Sequence, residues 1–205
     1  MTNNNRMSKH FYIIVLIIIG ITLSSCHGVL KFPEHRVIFP NKEKIDLNVR
    51  LHIGKDIADA IWESDTFNEK VIVLGESLSS GVEGVSRAVF SNVEVAKGKD
   101  EKYRGGSEAI LAPSLKYLKK SIPVLGFQDT HTTIVMEWLL KDSLGNIIWA
   151  DSFSVHKKFQ MMSSHKKTKI YIRELLDELF EKTFESLSES PEIRTYAALQ
   201  NRGRK

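Results

Sequence analysis

Cysteine occurs once in the 205 residues, at Cys26, so the chain has no framework of paired cysteines to staple it together. Charge of one sign is also missing: 29 basic side chains stand against 25 acidic ones. A balance that mild gives no electrostatic footprint for nucleic acid, and no basic stretch carries the interleaved aromatics that would stack bases. Proline is scarce at five residues, and no collagen-like or low-complexity bias appears. The phosphate-loop pattern is absent as well, because no lysine and hydroxyl residue follow the glycines between Gly75 and Gly81. What remains is ordinary globular composition, 42% hydrophobic and 26% charged, in a chain long enough for one domain with a core.

The lone cysteine stands in a particular setting. Residues 1–10 are polar and carry Arg6 and Lys9, and Phe11 to Leu23 form an almost unbroken apolar run. As a helix that run spans about 20 Å, signal-peptide length and short of a stable membrane span. The two basic residues favour a cytoplasmic start. Directly behind it comes Leu23-Ser24-Ser25-Cys26, which resembles the bacterial lipobox. The resemblance implies a diacylglycerol on the Cys26 thiol, cleavage before Cys26 by signal peptidase II with Leu23, Ser24 and Ser25 as its recognition residues, and acylation of the new amino group. Two long acyl chains then supply on the order of 20 kcal/mol of membrane attachment. His27 follows the cysteine in place of the aspartate that tends to retain enterobacterial lipoproteins in the inner membrane. This implies the periplasmic face of the outer membrane, with the inner membrane as the alternative.

Beyond the cysteine the chain divides into a tether at 26–44, an α+β body at 45–189 and a basic tail at 190–205. Residues 27–44 carry Pro33 and Pro40 without periodicity and read as a flexible linker reaching about 60 Å extended or about 25 Å as a coil. Strict alternation from Ile45 to Ile53 predicts a half-buried strand. Residues 55–62 read as a short helix. Leu74, Leu78, Val82, Val85 and Val89 step through a second one. Gly75, Gly81 and Gly84 weaken that helix by up to about 1 kcal/mol each, which points to close packing, here expected against a sheet. Strands are expected at 92–96 and 109–118, the latter at an edge or bulge near Pro113. The alternation across 132–155, broken at Lys141-Asp142-Ser143-Leu144-Gly145-Asn146, predicts a long hairpin. Ile172 through Leu187 mark an amphipathic helix over 168–189 that Ser190-Pro191 ends, leaving a tail read as disordered. The expected fold is α+β: one antiparallel or mixed sheet with helices on one face, a two-layer sandwich.

Two phrases, Ile110-Leu111-Ala112-Pro113 and Leu140-Lys141-Asp142-Ser143-Leu144-Gly145-Asn146-Ile147-Ile148-Trp149, resemble the auxiliary lipoproteins of ABC-type lipid transport and related assembly lipoproteins of the cell envelope. In that group a strand ending in proline precedes a hairpin with an Asp and Gly turn. The resemblance covers about 80 residues and implies a non-catalytic binding or assembly role with an envelope protein partner.

A search for chemistry adds little. Gly75-Glu76-Ser77-Leu78-Ser79 approaches the nucleophile elbow but has Ser79 where the second glycine belongs. Six histidines follow the cysteine, His27, His35, His52, His131, His156 and His165, with no pair at helical ligand spacing. No catalytic residue, metal site or cofactor is expected, and no nucleic acid. A lipid or ligand carrier is the alternative function, a lipid-anchored hydrolase the weaker one. One segment stands out: His156-Lys157-Lys158 recurs as His165-Lys166-Lys167 around an apolar pair, Met161 and Met162. Lys157, Lys158, Met161, Met162, Lys166 and Lys167 are therefore candidate contacts for anionic lipid or an acidic partner; a solvated connector is the plainer alternative.

Overall fold

In the computed structural model, residues 29–62, 71–96, 107–121, 130–159 and 165–202 are described. The lipobox and its apolar run, residues 97–106, Met161 and Met162 lie outside them. Alternation dictates the main sheet. Strand β2 (Ile45–His52) buries Ile45, Leu47, Val49 and Leu51, as its period of two requires. It pairs in parallel with β5 (Phe90–Ala96) and with β6 (Ala109–Ser121). The latter continues antiparallel into β7 (Thr130–Asp142) and β8 (Ile147–Phe159). The five-stranded order is β5-β2-β6-β7-β8. Beside it lies a small sheet, ordered β1-β4-β3, from β1 (Leu30–Lys31), β3 (Ile61–Trp62) and β4 (Ile72–Val73). The predicted short helix is α1, Lys55–Ala58, and the chain then turns into β3 rather than continuing as helix.

Pro113 is tolerated because of where β2 stops. The β2–β6 pairing runs only to Leu111. The Leu115 amide, on the same side of β6 as Pro113, donates to the Asp56 carboxylate at 2.6 Å. The donor that proline lacks would thus face a side with no strand. A bulge follows two residues later, between Leu115 and Tyr117. The hairpin turn also follows its chemistry. Asp142 accepts from the amides of Leu144 and Asn146 and from the Asn146 side chain, all at 2.8 Å. Gly145 supplies the positive φ of 89°.

One face of the sheet carries α2 (Gly75–Val89) and α3 (His165–Glu189). Between them and the sheet lies a filled core whose largest fully buried side chains include Trp138, Phe90, Phe180 and Phe184. The glycines of α2 do permit close packing, but against the helices α1 and α3, not against sheet. A Cβ on Gly81 would overlap the Phe180 ring of α3, and one on Gly75 would overlap the Ala58 carbonyl oxygen. The fold is α+β, with helices on one face of a mixed sheet.

Two expectations are corrected at the ends of the body. Residues 29–44 are no loose tether: Phe32 and His35 are buried, and β1 is paired into the small sheet. The tail is not disordered between 191 and 202, where it forms α4 (Pro191–Arg202) and buries Ile193 and Ala197. Ser190 opens that helix, its hydroxyl accepting from the Ile193 amide at 3.2 Å, and Pro191 takes the first helical position, where its missing donor costs nothing. Across the sheet's end, the Tyr196 hydroxyl donates to the Glu108 carbonyl at 2.9 Å and the Asn201 side chain to the Asp46 carbonyl at 3.1 Å.

Candidate functional site

Residues 32–42 form a strap in the groove between α2 and α3. Along α2, the Ser77 hydroxyl donates to the Pro33 carbonyl at 2.6 Å, the His35 amide donates to the Ser80 hydroxyl at 2.8 Å, and Phe39 approaches Gly84. Along α3, the His35 imidazole Nε2 bonds the Asp177 carboxylate at 2.9 Å. Phe39 then stacks on Phe184 with centroids 4.9 Å apart, and Lys42 pairs with Glu189 at 2.6 Å. Both series ascend with the strap. The strap therefore runs parallel to both helices, and its start lies at their N-terminal ends.

There the strap walls a cleft of about 250 Å³ with Phe32, Pro33, Glu34 and His35 on one side, and Ser77, Lys169, Ile170 and Arg173 on the other. His35 is its buried titratable group. Burial pushes the imidazole below its ordinary pKa; Asp177 opposes this through its charge and hydrogen bond, and the Arg173 charge adds to the lowering. The cleft thus presents a neutral imidazole, two cations, one carboxylate from Glu34 and an apolar floor. Ser77, the serine of the near-elbow, donates to the Pro33 carbonyl and so acts as a strap tie.

The basic segment separates on folding. Lys157 points toward α3, where its ammonium lies 3.5 Å from Glu178 and 3.9 Å from Glu174. It ties sheet to helix. Lys158 is exposed on β8, and Lys166 and Lys167 are exposed on the first turn of α3. Sequence reasoning missed Lys169, Ile170 and Arg173, one to two turns further on, because the apolar stripe there suggested only a core helix.

It also missed a cross-strand histidine pair. His131 Nδ1 lies 3.2 Å from His156 Nε2, and His156 Nδ1 lies 2.8 Å from the Thr133 hydroxyl. Register brings them together, since Thr133 stands opposite His156. Among the described residues no group of three or more His, Cys, Asp or Glu is placed to hold a metal ion. No helix among them is long and apolar enough to cross a membrane.

No family model matches the chain, and no curated protein resembles it in sequence. Solved structures do. A Xanthomonas campestris protein of the family DUF330 aligns over 87% of this chain and 99% of its own, at 10% identity and a TM-score of 0.52. That likeness is one of fold. A minor lipoprotein from Acinetobacter baumannii aligns over 71% of this chain and 93% of its own, at 11% identity and a TM-score of 0.45. The PelC dodecamer protein from Paraburkholderia phytofirmans aligns over 74% and 93%, at 15% identity and a TM-score of 0.43.

Proposed function

We propose that the chain is a bacterial lipoprotein, cut before Cys26 and held by lipid on the periplasmic face of a membrane, the outer one. There its body serves a non-catalytic binding or assembly role with an envelope protein. The observation that carries this is Leu23-Ser24-Ser25-Cys26 directly behind a thirteen-residue apolar run. The thiol of an otherwise cysteine-free chain gains a chemistry there, and the run delivers it to the membrane surface. The packed core supports surface binding over internal carriage. The space between sheet and helices is taken up by Trp138, Phe90, Phe180 and Phe184. The strap cleft, at about 250 Å³, falls below the usual range of about 300–1,000 Å³ for ligand pockets.

Metabolic labelling with a radioactive fatty acid tests the anchor. The native chain should take up label and run at the cleaved size, and Cys26→Ala should lose the label and stay at precursor size. Label that persists in Cys26→Ala overturns the assignment. The binding role is tested by crosslinking the native protein in membranes and purifying it. Recovery of the same envelope protein in stoichiometric yield supports the role, and recovery of the monomer alone counts against it.

A further inference from the structure

The lipid anchor and the strap together orient the body. Only three residues lead from Cys26 to Val29, a reach of about 10 Å when extended, and β1 pins the chain immediately afterwards, at Leu30 and Lys31. The body therefore cannot stand off the membrane as a tethered domain would. Its near end is set by the strap: β1 and the N-terminal ends of α2 and α3. We propose that this end is a lipid-contact surface, seated on the anionic headgroups of the membrane that holds the anchor. The proposal rests on the lipoprotein reading and adds the face presented.

Charge and exposure at this end fit that occupant. Lys31, Lys166, Lys167, Lys169 and Arg173 are exposed around the strap's start and the first turns of α3. The first turn of α3 holds no acidic residue, so its lysines crowd the positive end of the helix dipole, an arrangement unfavourable within the protein. An anionic surface relieves that repulsion, and each lysine held near one strengthens attachment by about fivefold. Acidic groups are also present: Glu34 pairs with Arg36 at 3.4 Å, and Glu76 is exposed on the first turn of α2. Bare apolar side chains lie among the cations. Ile170 is 48% exposed on the cleft rim, and Val29, just ahead of β1, is 58% exposed. Cations with interspersed aliphatic residues match a headgroup layer over acyl chains. The far end differs: α4 crosses the starts of β2 and β6, and the hairpin tip raises Leu144 away from the anchor.

The test uses the full chain in its native membrane, with the photoreactive residue p-benzoylphenylalanine in place of Ile170 or of Leu144. After illumination, Ile170→p-benzoylphenylalanine should yield phospholipid adducts by mass spectrometry, and the Leu144 variant should yield at least tenfold fewer. Adding Lys166→Glu, Lys167→Glu and Lys169→Glu should lower the adduct yield at position 170 several-fold. Equal yields at the two positions, or protein adducts alone at position 170, overturn the orientation and leave the anchor standing. A chain that leaves the membrane fraction, with no fatty-acid label, overturns the lipoprotein reading and this proposal with it.

Discussion

At His35 two opposed effects act on one imidazole. Burial in the groove between α2 and α3 disfavours the charged ring, Asp177 favours it, and burial prevails. The folded state therefore binds a proton less readily than the unfolded chain, whose histidine titrates near about 6.5. As pH falls through that value the unfolded state gains protons first, so stability declines with acidification and is fully present above it. Urea midpoints at pH 7.5 and 5.5 should show a drop for the native body and a smaller one for His35→Gln; equal drops would remove His35 from the account. Gly81 carries a second residue-scale expectation. A Cβ added there would fall on the fully buried Phe180 ring, so Gly81→Ala must displace an aromatic that has little room. The gain in helix propensity of about 1 kcal/mol is then outweighed by overpacking of about 1–3 kcal/mol. A thermal melt should place Gly81→Ala below the native protein, and a stabilised variant would contradict the packing shown by α2 and α3.

Among the elements, α4 shows most plainly how one signal carries two meanings. Ser190-Pro191 stops α3, and the same pair starts α4, with serine as cap and proline in the first turn. The stop was legible because proline after an amphipathic run is unambiguous. The restart was not, because Ile193 and Ala197 are too few to form a recognisable stripe among charged neighbours. Since Ile193 is fully buried, Ile193→Ala should cost about 2–4 kcal/mol in denaturant unfolding, where a disordered tail would give no change. The five-stranded sheet was readable: β2, β7 and β8 alternate, and Asp142 with Gly145 announces the turn. The two-residue strands of the small sheet were not, Ile61–Trp62 falling within the expected short helix. The strap was not. Phe32, His35 and Phe39 are spaced three and four apart, a helical step, yet the segment is neither helix nor strand; Pro33 and Pro40 interrupt it, and the partners of His35 stand 45 and 142 residues away. The cleft was hidden for the same reason, since its two walls come from opposite ends of the sequence.

For the whole molecule, the strap decides how the body sits relative to its anchor. A free linker over 27–44 would hold the body at about 25 Å on average, able to sample any orientation. A strap docked along two parallel helices leaves only the few residues after Cys26 between the anchor and the body. The body then sits close, on one end. Ser77 and Ser80 bond it to α2, and the interactions that dock it on α3 are few: the His35–Asp177 bond, the Phe39–Phe184 stack and the Lys42–Glu189 pair. Weakening the first two of these three by His35→Ala with Phe39→Ala leaves the sheet and its helix layer intact while freeing up to about ten residues of chain. Neutron reflectometry of the lipidated protein on a supported bilayer should find the native body within about 10 Å of the headgroups. The double variant should move outward toward the coil distance and broaden its profile. Hydrogen exchange gives the matching local readout: the Phe32 amide, bonded to the Val73 carbonyl at 3.1 Å, and the His35 amide should exchange slowly in the native protein. Both should speed up in the double variant while the amides of β7 hold their protection. A native body found at the coil distance, or strap amides exchanging at the rate of free peptide, would return residues 29–44 to the role of a tether.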